Sequence, residues 1–224
     1  KRVTLEHNIK ILTKNKARPE DKEINEEKLR THNRIMALDN KDDNQLEYST
    51  FETVLGRLTQ KDKNMYKHIT RAGEKFQHAM FKYYEPLVNL EQVPETYNYT
   101  KLFGLWKGKG SELDLNMMRY IHGKDWDAKM LEALIAERMK PKIHEAIPDI
   151  QIGGKSGHSS IEHLLLIKTW MLNMEVNNGS GIFQGFDMEK FFDKESLIDT
   201  LYALYDEGGI SDKDYRMWFK LNAK

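Results

Sequence analysis

Asp187 is the residue with the most chemical potential. It lies in residues 185–193 (GFDMEKFFD), just after the apolar pair Ile182 and Phe183. An acid at the end of an apolar strand is costly to bury unless something positive compensates it. A divalent metal is one such compensator, because Mg²⁺ takes carboxylate and carbonyl oxygens together with substrate phosphates. The same residue could instead cap the turn that follows. A second group is basic. Lys107 and Lys109, in residues 107–115 (KGKGSELDL), share a face if the preceding strand continues, and Arg119 comes back near them on the partner strand. Cations converging there repel unless an anion sits among them, and a triphosphate would serve. A solvated hairpin tip accounts for the same residues.

Two other stretches fail as sites. Residues 153–160 (GGKSGHSS) suggest a phosphate loop, but the order after the first glycines breaks the P-loop spacing. His158 and His163 are five apart and fall off a common helical face, which argues against a zinc pair. Cysteine is absent, so disulfides, thiolate nucleophiles and Cys-ligated zinc are excluded.

The elements that must hold these residues follow from hydrophobic spacing. Residues 97–106 (YNYTKLFGLW) read as a strand, 107–115 as a glycine-bearing loop and 116–122 (NMMRYIH) as the returning strand, giving a β-hairpin with a basic tip. A helix over 125–139 puts Trp126, Met130, Leu131, Leu134, Ile135 and Met139 on one face, with Asp125 as N-cap and Pro141 and Pro148 bracketing its end. Ser159 and Glu162 fit a capping box before a helix over 161–174, apolar enough to be mostly buried. Residues 182–188 read as a short apolar strand. A helix over 197–205 is capped by Asp193 and stopped by Gly208-Gly209. Ser211 and Asp214 open a further helix through Tyr215, Trp218, Phe219 and Leu221. Upstream, residues 14–30 are nearly all charge and 39–45 read as an exposed loop or mobile segment. Residues 51–88 turn helical, with Phe51, Val54, Leu55, Leu58 and then Phe76, Met80, Tyr83, Tyr84 at helical steps.

Composition sets the outer bounds. Lys and Arg total 35, and so do Asp and Glu, for a formal net charge of zero. Binding of nucleic acid by bulk positive charge is thereby excluded, and any polyanion site must be local. No stretch approaches the roughly 20 apolar residues of a membrane span, and the first residues lack a signal-peptide pattern. A soluble intracellular chain without membrane contact is the expectation, its nuclear or cytoplasmic placement open.

In order along the chain, residues 105–109 (LWKGK), 114–122 (DLNMMRYIH), 126–142, 151–170 and 186–193 resemble the fingers and the start of the palm of a reverse transcriptase. The similarity is closest to reverse-transcriptase-like proteins of invertebrate mobile elements, and it spans about residues 97–222. It implies an α+β fold, with a helical N-terminal region over 1–95, fingers over 96–180 and an incomplete palm sheet over 181–224. Arg119 matches the arginine that holds an incoming dNTP, and Lys107 or Lys109 the partner lysine. Asp187 matches the first catalytic aspartate, which binds Mg²⁺ together with the backbone carbonyl of Met188. Phe192 matches the aromatic gate against a ribose 2′-hydroxyl. The partners implied are an RNA template, a DNA primer, dNTP, and the remainder of the palm and thumb from the same or another chain. The family's paired-aspartate element does not occur in these residues, so this polypeptide by itself is expected to be inactive. A fragment of a viral RNA-dependent RNA polymerase and a catalytically dead RNA- or protein-binding module are the alternatives.

Overall fold

The computed structural model describes residues 19–38, 45–61, 65–185 and 196–223. These form a mostly helical α+β arrangement with one small two-stranded antiparallel sheet. Helices α1 (Pro19–Ala37), α2 (Tyr48–Lys61), α3 (Met65–Arg71) and α4 (Glu74–Asn89) come first. On α2, Phe51, Val54, Leu55 and Leu58 are all buried, the face expected of that spacing, and the helix packs on α5 (Trp126–Ala146). The face of α4 differs from expectation. Phe81, Tyr84 and Val88 are buried, whereas Phe76 and Tyr83 are close to half exposed. Two apolar stripes overlap on this helix, and the one that includes Phe81 and Val88 meets the core.

After a 3-10 turn at Glu95–Asn98, the hairpin is built from β1 (Lys101–Trp106) and β2 (Met118–Gly123). Helix α5 follows. Asp125 stands at its N-cap position, but its carboxylate is taken by Lys101 at 2.6 Å instead of a backbone amide. Pro141 does not end α5, contrary to expectation. Its ring removes one backbone bond, and the helix runs on to Ala146, with the Ile147 N–H bonded to the Ile143 carbonyl at 3.0 Å.

Helix α6 (Ser160–Val176) begins with the expected capping box of Ser159 and Glu162. Its burial is the opposite of what its composition suggests. No residue on it is buried, and Ile161, Leu164, Leu165, Leu166, Met171 and Leu172 are all more than half exposed. Apolar content favours burial only where a facing surface exists, and no described helix or strand packs along α6. Residues 181–185 form no strand, and Ile182 and Phe183 are exposed. The rest of the expected strand, with Asp193 as a cap, lies outside the described residues. So do residues 39–44 of the expected loop.

Helices α7 (Leu197–Asp206) and α8 (Asp212–Asn222) close the core against α1 and α5. Ser196 caps α7, and Ser211 caps α8 by accepting from the Asp214 N–H at 3.1 Å. Apolar side chains from Ile35 to Leu221 form one cluster, with Leu131, Leu134 and Ile135 of α5 fully buried in it. A buried ion pair joins distant parts of it. Arg216 donates to both Glu91 carboxylate oxygens, at 2.6 and 2.8 Å, and to the Ile35 carbonyl at 3.3 Å.

Candidate functional site

The basic hairpin owes its shape to a short run of glycines. Gly108 and Gly110 have φ of 75° and 71°, a region that side chains with a Cβ rarely adopt. A Cβ on Gly110 would also come within 2.9 Å of the Met117 side chain. Asp114 orders the return leg, because its carboxylate accepts from the Asn116 N–H at 2.9 Å and starts the 3-10 turn Leu115–Met117. The ladder continues one step past β1, with the Lys107 N–H bonded to the Met117 carbonyl at 2.8 Å.

Register then decides which side chains meet. Leu105 pairs with Arg119 and Phe103 with Ile121, so these four share one face, and Lys107 follows two residues beyond Leu105 on that side. The ammonium of Lys107 donates to the Asn116 carbonyl at 2.8 Å, which holds it at the neck of the tip. Arg119 and Lys109 are exposed, and among the described residues neither has an acidic partner. The hairpin thus brings Lys107 and Arg119 to one face and leaves Lys109 out on the glycine tip. Asp187, Met188 and Phe192 lie outside the described residues. No group of three His, Asp or Glu suited to a metal ion occurs among the described ones.

A feature that local sequence patterns do not signal lies at the other end of the hairpin. The opposite face carries Trp106, Tyr120 and His122, and at its foot a cleft of about 470 Å³ opens toward α5 and α8. Asn98, Thr100, His122, Lys129 and Asn222 are among its lining residues. Lys124 anchors this cleft, donating to Glu132 at 3.2 Å, to the Leu221 carbonyl at 3.1 Å and to the Asn222 side chain at 2.9 Å. Lys124 and Leu221 are 97 residues apart, so only tertiary packing brings these walls together.

Comparison with known proteins adds no family: no family model, curated protein or solved structure matches the chain. No described helix is long and apolar enough to cross a membrane.

Proposed function

We propose that the chain is the N-terminal part, fingers and start of the palm, of an RNA-directed DNA polymerase. The observation that carries this is the placement of Arg119 and Lys107 on one hairpin face with no acid paired to Arg119 among the described residues. Such a face suits the β- and γ-phosphates of a dNTP, whose charge would be met by a guanidinium fork and an ammonium. In the complete enzyme the primer 3′-hydroxyl would attack the α-phosphate, a new P–O bond forming as pyrophosphate leaves. Asp187 and the Met188 carbonyl would hold Mg²⁺, and the donor set suits it, since both offer hard oxygens. Bound there, the metal supplies charge neutralisation at the transferring phosphate. Phe192 would exclude a ribose 2′-hydroxyl by filling its volume, and template and primer would be held by phosphate contacts and shape.

The test is binding of a primer–template duplex to the chain, followed by fluorescence anisotropy with and without dNTP and Mg²⁺. Arg119→Ala is expected to weaken binding about tenfold when nucleotide is present and to leave it unchanged without nucleotide. An equal effect in both conditions, or none in either, overturns the proposal. A polymerase-derived binding module without activity is the second reading, favoured by the exposed apolar side chains of α6. Under that reading nucleotide makes no difference to any variant. A viral RNA polymerase origin would show in the complete protein, where replacing Phe192 by a small residue would leave sugar preference unchanged.

A further inference from the structure

The outer edge of β1 carries an inference that does not rest on the polymerase reading. The sheet has two strands, and no described helix packs along β1. A two-stranded hairpin is marginal in water by itself, and a further strand or a covering layer is what stabilises one. Leu102, Phe103, Leu105 and Trp106 are each about half exposed, so neither face of the strand is covered.

The ladder fixes which backbone groups stand free. The Lys107 N–H reaches the Met117 carbonyl, so positions 107, 105, 103 and 101 turn inward to β2 and the alternate positions turn outward. Those are Leu102, Gly104 and Trp106, and among the described residues their N–H and C=O groups have no partner. They lie symmetrically about Gly104. A second β1 running antiparallel, Gly104 against Gly104, sets Leu102 opposite Trp106 and Trp106 opposite Leu102. All the outward positions then exchange both backbone bonds, with no group left over. A slip of one residue would set outward groups against inward ones and lose these bonds.

Side chains fit the same register. Two facing glycines leave a gap at the centre of one sheet face, beside Tyr120, whose ring comes within 3.8 Å of where a Gly104 Cβ would stand. An aromatic neighbour covers such a gap, and the pairing brings Trp106 of each copy beside it. Charge agrees. Nothing between Leu102 and Trp106 is charged, whereas the β2 edge carries Arg119. Exposed edges are ordinarily guarded by charge or proline, and β1 has neither there. At each end Lys107 of one copy comes opposite Lys101 of the other, whose ammonium is held by Asp125 at 2.6 Å. That pair is about two-thirds exposed, so the Asp125 carboxylate is open to the arriving cation.

We infer that β1 pairs edge to edge with β1 of a second copy, making one continuous antiparallel sheet across a two-fold dimer. The two-fold axis closes the contact, and the guarded β2 edges end the sheet. Arg119 lies on the far strand, so the face proposed for a triphosphate stays open.

Sedimentation equilibrium of the chain from about 1 to about 500 µM, with amide hydrogen exchange at both ends of that range, tests this. A monomer–dimer equilibrium is expected. The Leu102, Gly104 and Trp106 amides gain protection at high concentration, while those of Phe103 and Leu105 are protected throughout. Gly104→Pro removes an outward N–H and no bond to β2, so it should weaken dimerisation at least tenfold and keep the Phe103 and Leu105 protection. If that protection is lost, Leu102→Lys decides instead, since it charges the edge and removes no backbone group. Asp125→Lys should weaken the dimer too. A monomer at every concentration, growth beyond a dimer, or a dimer that keeps its affinity in Leu102→Lys overturns the inference. So does protection that rises on α6 instead of β1. Arg119→Ala should leave dimerisation unchanged, which keeps failure here distinct from failure of the nucleotide-dependent assay.

Discussion

Glu91 has φ of 54°, in the left-handed region that favours glycine, and its side chain is only 5 % exposed. The surroundings that make this tolerable are cationic: Arg216 grips both carboxylate oxygens, and Lys220 reaches the Glu91 carbonyl at 3.1 Å and its carboxylate at 3.4 Å. Burial pushes the carboxyl up, but the bonds and charges of Arg216 and Lys220 outweigh it and hold the group below its ordinary 4.5. A carboxyl depressed in the folded state gives stability that is complete above the unfolded value and lost as pH falls through the folded one. Glu91→Ala strands Arg216 in the core, so urea denaturation near neutrality should show a loss of about 3–5 kcal/mol. That gap should narrow on acidification below 4.5. His32 works in the opposite chemical sense with the same pH sign. Burial lowers its pKa from 6.5, and its Nδ1 lies 3.0 Å from the Tyr215 hydroxyl. The folded state therefore keeps the ring neutral while the unfolded chain takes up a proton, so stability falls as pH drops below 6.5. A His32→Asn variant should show a flatter decline of melting temperature through that interval; an unaltered slope would refute this account.

At the scale of single elements, helix ends and helix environments were each legible only in part. Asp125 makes no side-chain cap bond to α5, Ser196 caps α7 where Asp193 was expected, and α5 runs past Pro141. The apolar faces of α2 and α5, by contrast, are buried as their spacing requires. The Ser159–Glu162 and Ser211–Asp214 patterns specify caps through atoms three residues apart, and both caps form. The hairpin could likewise be anticipated, because glycines at its tip and β-type residues on either side act locally. Burial is not local. The apolar count of α6 says nothing about whether a second surface lies against it, and α4 carries two overlapping stripes of which only the packing partner selects one. The cleft was illegible for a stronger reason, since Asn98, Lys124 and Asn222 belong to segments joined only when α8 docks. Paired substitutions measure the contrast between α5 and α6. Leu134→Ala in α5 should cost about 2–5 kcal/mol, while Leu165→Glu in α6 should stay within about 0.5 kcal/mol. Equal losses would mean that α6 is packed in solution. Gly208 ends α7 with no room for a Cβ, which would lie 2.5 Å from the Leu204 carbonyl oxygen. Gly208→Ala is accordingly expected to cost roughly 1–3 kcal/mol by thermal melting.

Across the molecule, charge balance and hydrophobic exposure point to different properties. Equal numbers of acids and bases leave no net charge to steer a polyanion, so affinity for one has to come from local groups such as those on the hairpin face. The ties that complete the core span most of the chain: Lys28 to Asp199 at 2.7 Å, His32 to Tyr215, Arg216 back to Glu91 and to the Ile35 carbonyl. Helix α1 packs against α7 and α8, so its apolar contacts wait on residues more than 150 positions later. During synthesis on a ribosome, that early segment must emerge and linger without its counterpart until the distal helices leave the exit tunnel. Translation speed over that interval then governs how long a sticky, half-assembled nascent polypeptide needs chaperone cover.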